Sequence, residues 1–541
     1  MDYDEVIKKI GTFGKFQLRL YVVLFFPVIF NSFSTPIIIF FLGDQSFRCK
    51  LPDWSNDTYA IQSSYHESAI NSSIPTTSDG KYSECKVIRN GTSEKCTEWV
   101  FDISTSTNTI ASQFNLVCDR MMLRPLAMTT YFIGYATSTV FLSIVGDIIG
   151  RRLECCVCLT CLFVTNIIMP FSTSVYMFGV LRFLDGFFAS TSYRTIFIMG
   201  LEFMTPKFRL VSGTVMLIVY CTGAYVLVFI AYFIRDWRWL QLTVAMPMAI
   251  PIIYWWPRIF PESPRWLISR GRYEEATKIL QHAAKMNKKT FDDDVTLLKI
   301  NEKSKTDEGI MHILKDLFKS KELVIRLLII AANWFTVAFI YYGLTINIGK
   351  FGGNLYSNYA VSITAELLGY LTGFLLDKTG RKPMHLGVFF GSSVACFLSL
   401  VPILVLDESY NWLLIVFAMI GKFGVSAGFG EIYLYTGELF PTVVRSLIMG
   451  LSGAGSRIGA ILSPYMFYLA DGIFGKVLPF LIYGILTFCV AILSLKLPET
   501  KLTKLPQQVQ DAHIEENTKD SSIKKDGEDA EELDGFVENE F

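Results

Sequence analysis

A single arginine interrupts a stretch of apolar and small residues near the C-terminal end of the chain. The stretch reads GLSGAGSRIGAILSPYMFYLA over residues 450–470, and Arg457 is its one fully charged side chain. An arginine near the middle of a membrane span costs at least ~2.5–3.5 kcal/mol, which makes it a candidate for function. Its guanidinium can bind a carboxylate through two hydrogen bonds. We therefore predict that Arg457 faces a central cavity and binds a substrate carboxylate; the alternative is that it neutralises Glu431 or another cavity acid.

Other ionisable side chains also fall inside long apolar runs. Arg182 and Asp185 lie three residues apart on one helical face, so they either pair with each other or face the cavity. Arg194, Glu366 and Glu431 add charges of both signs. We predict that the two glutamates bind the cationic part of a substrate; the alternative is that each forms a structural ion pair with an arginine.

Aromatic residues provide a second means of binding a cation, because a quaternary ammonium is attracted to the faces of aromatic rings. Tyr193, Tyr341, Tyr342 and Trp334 lie in the same runs as the charges. We predict that the three tyrosines line the substrate site. Most other aromatic residues, including many of the 44 phenylalanines, are expected to face lipid or to pack between helices.

The elements that position these residues must be membrane helices. The chain has 541 residues, of which 51% are hydrophobic and 18% are charged, with a net charge of zero. Apolar runs near 20 residues recur along it, and each is long enough to cross a ~30 Å hydrocarbon core. The balanced charge argues against a nucleic-acid partner. The sequence predicts an all-α membrane protein surrounded by lipid.

Twelve spans are predicted, with both termini in the cytoplasm because one set of short connections carries most of the lysine and arginine. They lie near 19–42, 125–147, 153–171, 175–203, 210–233, 239–260, 323–346, 356–376, 385–405, 411–436, 446–470 and 477–497.

The segment 43–124 is then extracellular. It contains three sequons for glycosylation, at Asn56, Asn71 and Asn90. It also contains four cysteines, which in an oxidising compartment suggest two disulfides with three alternative connectivities. These are Cys49, Cys85, Cys96 and Cys118. A further group, CCVCLTC at 155–161, has cysteines spread around an apolar helix, so we read them as small buried residues and predict no metal site.

The chain repeats itself in two halves. SIVGDIIGRR at 143–152 recurs as GFLLDKTGRK at 373–382, and EFMTPKFR at 202–209 matches ELFPTVVR at 438–445. PESPR after the sixth span echoes PET after the twelfth. Two parallel halves around an axis along the membrane normal form a transporter architecture, with the substrate site at the midplane between them.

The repeated motifs predict a cytoplasmic gate. The glycines permit tight turns, and the cations can pair with acids at neighbouring helix ends, closing this face in one state and releasing it in another. The alternative is that these cations only mark the cytoplasmic side. The predicted gating residues are Asp147, Arg151, Arg152, Glu202, Arg209, Asp377, Arg381, Glu438 and Arg445.

The domain organisation follows from the spans and the repeats. We expect a cytoplasmic N-terminus at 1–18 and an N-terminal six-helix half at 19–260 that includes the extracellular loop 43–124. A charged cytoplasmic linker at 261–322 precedes a C-terminal six-helix half at 323–497. The acidic tail, 498–541, is expected to be disordered in the cytoplasm.

These motifs resemble the major facilitator superfamily, in the repeated G-x-x-x-D-x-x-G-R-R/K pattern and the RFLDG element of span four. SQFNLVCD, AYFIRDWRWLQ, PESPRWLISRGRYEEA, NWF and GELFPTVVR are more specific. Together they resemble the organic cation/anion/zwitterion transporters, closest to the carnitine-type and insect-type members, from residue 3 to about 510. One departure is Ser143, where the first motif usually has glycine.

The resemblance implies roles for individual residues. Tyr341 and Glu366 fall at positions that contact cationic substrates in the family, and Tyr193 falls at a central-cavity aromatic. Carriers of simple organic cations have aspartate where this chain has Arg457, whereas anion and carnitine-type members have arginine there. The resemblance therefore counts against a carrier restricted to plain cations.

The predicted function is secondary transport of small organic cations or zwitterions, such as carnitine-like compounds, across the plasma membrane by alternating access. Organic anion transport is the first alternative; a sugar carrier and a non-transporting receptor are weaker ones. No phosphate-binding loop or hydrolase motif is present, and the five histidines are scattered with none expected deep in a span. We therefore predict no enzyme activity and no cofactor. Uniport, sodium symport and exchange all remain open.

Overall fold

The computed structural model of the chain describes residues 3–43, 45–52, 54–76, 82–89, 91–104, 106–291, 320–406, 410–440, 445–469, 475 and 477–501. Three predictions therefore lie outside the described residues in whole or in part: the sequon at Asn90, residues 292–319 of the linker, and the tail from 502 onward. The backbone of Asp377 is described, but its side chain is not.

The N-terminal half contains helices α1 to α12. They are Tyr3–Ile10, Lys15–Ser34, Ile37–Phe41, Ser64–Ser73, Ile110–Gln113, Leu123–Ile149, Arg151–Ile168, Val175–Glu202, Pro206–Phe233, Trp237–Ala245, Pro264–Ser269 and Tyr273–Met286. Short 3₁₀ turns lie at Cys118–Arg120, Met169–Phe171 and Met246–Trp255.

The C-terminal half contains helices α13 to α21. They are Lys321–Ile346, Leu355–Leu371, Leu376–Thr379, Arg381–Leu398, Leu400–Leu404, Asn411–Leu439, Arg445–Leu462, Met466–Leu469 and Val477–Ser494. Further 3₁₀ turns lie at Ile348–Phe351, Thr372–Leu375 and Ser463–Tyr465.

Eight helical stretches within the described ranges are long and apolar enough to cross a membrane. The other four predicted spans also coincide with helices, which are shorter or more polar, so the twelve-span prediction is consistent with the fold. The eight stretches are Lys15–Phe41, Cys118–Ile149, Arg151–Phe171, Lys207–Phe233, Lys321–Ile346, Arg381–Leu404, Asn411–Leu439 and Val477–Ser494.

Glycines bring helices into backbone contact in both halves. A Cβ on Gly186 of α8 would lie 2.0 Å from the Tyr131 carbonyl oxygen of α6. In the C-terminal half, a Cβ on Gly459 would lie 2.5 Å from the Phe335 carbonyl oxygen, and one on Gly455 would lie 2.7 Å from that of Ala331. The room that small residues leave beside Arg457 is therefore taken up by helix α13, as in other close membrane-helix pairs.

The two halves meet along α6 with α19 and along α9 with α14. The hydroxyls of Tyr225 and Thr364 are 2.7 Å apart across the second contact. Thr129 donates to the carbonyl of Ile461 across the first, at 3.2 Å. These contacts place α6, α9, α14 and α19 at the interface between the halves; Glu366 lies on α14 and Arg457 on α19.

The segment between α3 and α6 forms a small unit with short strands, which we call the α3–α6 unit. Strand β1 (Phe47–Cys49) pairs antiparallel with β4 (Trp99–Phe101), and β2 (Lys86–Arg89) pairs antiparallel with β3 (Thr92–Lys95). Of the three connectivities left open by the sequence, the structure has Cys49–Cys96 and Cys85–Cys118.

A buried ion pair stabilises this α3–α6 unit. Both guanidinium nitrogens of Arg48 donate to Asp57, at 2.9 and 2.6 Å, and His66 Nε2 lies 2.9 Å from the same carboxylate. Burial opposes ionisation of Asp57, but the hydrogen bonds from Arg48, Leu51 and His66 outweigh it and lower its pKa. A lowered pKa means that this stabilisation is present above the pKa of the unfolded chain, about 3.9, and is lost as the pH falls through the folded value.

We expect Asp57→Asn to destabilise this unit by about 3–5 kcal/mol at neutral pH, because it leaves a buried arginine without its counter-ion. The substitution keeps the sequon at Asn56, so glycosylation is not removed with the charge. The measurement is the thermal unfolding midpoint of the purified protein. Asp119→Asn is the matched control, because the Lys95–Asp119 pair is exposed. Equal midpoints for the two variants would contradict the prediction.

Candidate substrate-binding site

Glu366 on α14 is a buried acid held by tyrosines of α13 and α14. Its Oε1 accepts hydrogen bonds from the hydroxyls of Tyr341, at 2.6 Å, and Tyr370, at 3.0 Å. The side chain is 8% exposed, so it is almost completely removed from solvent. Two hydroxyl donors hold the carboxylate in one orientation, with Oε2 directed elsewhere.

Lys422 on α18 is the partner of that second oxygen, and the sequence analysis missed it. Its Nζ lies 3.6 Å from Glu366 Oε2 and 3.5 Å from the centre of the Tyr341 ring. It also donates to the Thr345 hydroxyl and to the Tyr341 carbonyl, the latter at 3.4 Å. A fully buried ammonium of the protein thus occupies the place predicted for the ammonium of a substrate. The sequence did contain an indication of this residue, because a lysine in the middle of a span is as unusual as an arginine there.

Arg457 on α19 belongs to the same half as Glu366 and Lys422, and it contacts the N-terminal half across the interface. Its guanidinium carbon is 4.2 Å from the centre of the Tyr135 ring of α6. No acid among the described side chains forms an ion pair with it, and its Nε has no hydrogen-bond partner there. Glu431 is paired with His385 instead, at 2.7 Å. Among the described side chains, Tyr135 and not an acid is therefore the neighbour of this guanidinium.

The three predicted tyrosines are distributed over both halves. The ring of Tyr342 lies 4.7 Å from that of Phe132 on α6 and 5.0 Å from that of Tyr341. Tyr193 packs against Tyr220, at 5.8 Å between ring centres, and so belongs to the N-terminal wall. Trp334 turns away from this group: its indole N–H donates to the hydroxyl of Thr436 at 3.2 Å.

Arg182 and Asp185 form a structural pair. Arg182 Nη1 donates to Asp185 Oδ2 and to the Ser34 carbonyl, both at 2.8 Å, and its guanidinium stacks on Tyr131 at 4.6 Å. Asn166 donates to the other carboxylate oxygen at 2.9 Å. Both charges are buried and matched, so this pair holds α6, α7 and α8 together.

His385 has buried partners that the sequence did not suggest: it lies near the start of α16, completely buried between Glu431 and Asn333. Arg194, the unusual charge beside Tyr193, likewise has a buried partner that the sequence did not suggest, Glu154, at 3.2 Å. Pairs of this kind depend on helix packing rather than on spacing along the chain.

The repeated Gly-Arg turns are built in the same way in both halves. Gly150 and Gly380 have φ of 105° and 93°, and each precedes a helix whose first N–H groups have no partner within that helix. Glu262 accepts from the N–H of Arg152 at 3.0 Å, and Glu499 accepts from the N–H of Arg381 at 3.0 Å. The acids of PESPR and PET are thus helix caps supplied from a distant part of the chain.

The pKa values of these two capping carboxyl groups are shifted in opposite directions. Burial raises the pKa of Glu262, despite hydrogen bonds from the backbone of Ser263 and Arg152. Burial also opposes ionisation of Glu499, but backbone N–H groups, chiefly those of Lys501 and Arg381, lower its pKa overall. The carboxyl group of Glu499 therefore loses its proton at a lower pH than that of Glu262.

The predicted gating residues form contacts within each half. Asp147 pairs with Arg151 at 2.7 Å, and Arg381 pairs with Glu438 at 3.0 Å. Arg209 instead contacts Asp4 of α1, while the Tyr3 hydroxyl donates to the backbone carbonyl of Glu202 at 3.1 Å. Arg152 contacts the Trp255 carbonyl, and Arg445 is the first residue of α19.

The profile of a known transporter family covers most of this architecture. The family described as "Sugar (and other) transporter" matches residues 65–511, which include both Gly-Arg turns and the cavity residues. This chain belongs to the sugar (and other) transporter family. The family consists of transporters rather than enzymes.

Relatives with assigned functions align along nearly the whole transporter. This chain is 32% identical over 542 residues to the human organic cation/carnitine transporter 2, and the alignment covers 94% of this chain and 93% of that protein. It is 30% identical over 525 residues to the organic cation transporter protein of Drosophila melanogaster, covering 94% of each. The organic cation transporter 1 of Caenorhabditis elegans is 31% identical, with 94% and 88% covered. The chain therefore belongs to the organic cation and carnitine transporters within the family, as the sequence motifs predicted.

Solved structures confirm the major facilitator fold. The partially occluded inward-open conformation of the xylose transporter XylE from E. coli superposes with a TM-score of 0.61 at 14% identity, covering 91% of this chain and all of that one. A bromo-deoxyglucose complex of the same major facilitator superfamily symporter gives 0.59 at 16% identity, with 91% and 98% covered. At this identity the likeness concerns the fold alone.

We expect Gly380→Ala to slow transport about tenfold at equal surface abundance. A Cβ at this position would lie 2.8 Å from the Glu499 carboxylate. The backbone of Gly380 also has a positive φ, which costs a residue with a side chain about 1–2 kcal/mol. A cost of about 1.4 kcal/mol corresponds to a factor of ten. The matched control is Gly373→Ala in the same motif, because a Cβ there meets no atom within 4 Å. If both alanine variants transport at the wild-type rate, the turn does not control the gate.

Proposed function

We propose that this chain is a secondary transporter that moves small organic cations or zwitterions, of the carnitine type, across the plasma membrane by alternating access. The named functions of the relatives support the substrate class, and the two-halved fold supports the mechanism. In this proposal the substrate site comprises Tyr193, Tyr341, Tyr342, Glu366 and Arg457, with Lys422 added to those that the sequence suggested.

The observation that carries the proposal is the ammonium of Lys422 on the Tyr341 ring, beside Glu366. This contact supports a site that holds an alkylammonium against an aromatic face and a carboxylate, an arrangement suited to cations. A substrate ammonium would enter by exchanging with Lys422. Binding would thus displace an internal cation, so the buried carboxylate is paired both before and after binding.

The charges of this pocket favour a substrate that also carries a carboxylate. Glu366 contributes one negative charge, while Lys422 and Arg457 contribute two positive ones. A zwitterion could place its ammonium at Glu366 and its carboxylate at Arg457, where two hydrogen bonds are available. The same positive excess keeps organic anions as the second candidate, because an anion could use both cations without displacing Lys422.

The proposal also covers the orientation of the chain in the membrane, its glycosylation and its disulfides. We place both termini in the cytoplasm and the segment 43–124 outside, with the domain boundaries given by the sequence. Asn56 and Asn71 are exposed, as glycan acceptors must be, and the two disulfides fit an oxidising compartment. Sodium co-transport is an open part of the mechanism.

The test is uptake by cells that express the chain, with and without sodium, of four labelled compounds. They are carnitine, a quaternary amine without a carboxylate, a dicarboxylate without an amine, and glucose. We expect carnitine to accumulate fastest and glucose not at all. Fastest uptake of the dicarboxylate would select the anion alternative, glucose uptake would select a sugar carrier, and binding without uptake would indicate a receptor.

A further inference from the structure

Two buried ionisable pairs lie at similar levels of the two halves. In each half, the pair joins the helix that follows the Gly-Arg turn to the next long helix. Glu154 accepts from Arg194, whereas His385 Nδ1 lies 2.7 Å from Glu431 Oε1. An arginine keeps its proton at every physiological pH, but a histidine and a carboxyl group can lose one. The two pairs therefore differ in their capacity to exchange a proton.

The neighbours of His385 fix where its protons lie. The Asn333 amide nitrogen donates to the Ile329 carbonyl at 2.8 Å and to the Ser494 hydroxyl at 3.1 Å, so the amide oxygen points the other way. That oxygen lies 2.9 Å from His385 Nε2. Since an amide oxygen can only accept, Nε2 must carry a hydrogen.

One further proton must then lie between His385 and Glu431. Without it, the lone pair of Nδ1 would face a carboxylate oxygen at 2.7 Å, in a site where both side chains are at most 2% exposed. The second oxygen, Oε2, has no hydrogen-bond partner among the described residues. A bare carboxylate oxygen without a partner is costly to bury, which favours a neutral acid that donates from Oε1 to Nδ1.

The charges around the pair do not replace that proton. Asn333 of α13 and Ser494 of α21 are neutral, and the nearby Arg381 and Arg326 are themselves paired with acids. The remaining titratable neighbour is the phenol of Tyr435, whose ring lies 5.3 Å from that of His385.

We propose that His385 and Glu431 form a proton-binding site, which takes up and releases one proton in each transport cycle. On release the O–H bond at Glu431 Oε1 breaks, the carboxylate keeps the electron pair, and the proton passes to water. The pair joins α18, which carries Lys422 of the proposed substrate site, to α16, from which that proposed site takes no residue. Movement of cavity-lining helices between states would therefore alter the contact on which the proton depends. This inference rests on the proposed transport function.

The first experiment uses the purified protein in liposomes that contain a pH-sensitive dye, with radiolabelled carnitine outside. We expect carnitine entry to be accompanied by proton movement, in Glu154→Gln as in the wild type. Glu431→Gln should abolish the proton movement, because its amide can still donate to Nδ1 but has no proton to release. Carnitine uptake by the wild type without proton movement, or equal movement in Glu431→Gln, would overturn the proposal.

A second measurement does not require transport. Infrared difference spectra of the wild type, titrated with base, should show loss of one buried carboxylic acid C=O band that is absent from Glu431→Gln. Glu154→Gln should retain the band. A wild-type protein without such a band at any pH would overturn the proton-binding site, even if carnitine is transported. Failure of carnitine uptake with the band intact would count against the proposed transport function alone.

Discussion

Glu366→Gln is expected to raise the apparent KM for carnitine and for plain quaternary amines by a factor that corresponds to about 2–5 kcal/mol, the cost of losing a desolvated charge contact. The Tyr341 and Tyr370 hydroxyls can still donate to the amide oxygen, so the local hydrogen bonds largely persist. The measurement is the concentration dependence of uptake at matched surface abundance. Glu322→Gln, which removes an acid paired with Arg326 at the start of α13, is the matched control.

A double variant separates substrate binding from a structural role of Glu366. If the carboxylate served only to neutralise Lys422, removing both charges would leave no unpaired buried ion, and the KM would recover. If Glu366 binds the substrate ammonium, Glu366→Gln with Lys422→Gln stays impaired. Recovery of the wild-type KM in the double variant would therefore contradict the proposed site.

Arg457→Lys and Arg457→Ala are expected to impair carboxylate-bearing substrates selectively. Lysine keeps the positive charge but cannot reproduce two parallel hydrogen bonds or the planar stacking on Tyr135. We expect carnitine uptake to fall by a factor that corresponds to about 2–5 kcal/mol in the alanine variant. A quaternary amine without a carboxylate should retain most of its uptake. Equal loss of both compounds, at normal surface levels, would make Arg457 a structural cation.

The sequence predicted the fold because membrane helices are encoded locally. A run of about 20 apolar residues is sufficient for a span, and the repeated Gly-Arg turns reveal the two halves without any tertiary information. The small residues around Arg457 are visible in the sequence, but only packing decides that helix α13 lies against Gly455 and Gly459.

The site was predicted less completely because its pairs join distant helices. Glu366 and Lys422 are on different helices, as are Glu154 and Arg194, and His385 and Glu431. No spacing rule connects such residues. Lys422 could still have been found by the argument applied to Arg457, since both are cations in mid-span. His385 could not, because its depth depends on how α13, α18 and α21 surround the first turns of α16.

For the helix caps Glu262 and Glu499, too, the sequence predicted one feature and the structure supplied the other. Their repetition in PESPR and PET was visible in the sequence, but their role was not. Each carboxylate reaches the start of a helix more than a hundred residues away in the chain, at Arg152 and Arg381. A repeated acid without a local partner is thus a useful indication of a long-range helix cap.

The central claim is that Arg457 binds the carboxylate of a zwitterion whose ammonium lies at Glu366. The most direct measurement is a cycle that compares carnitine with its methyl ester, in the wild type and in Arg457→Ala, by uptake into liposomes of known protein content. We predict that the substitution strongly lowers kcat/KM for carnitine but changes that for the ester less than twofold, well within 1 kcal/mol. An equal loss for both compounds would contradict the account.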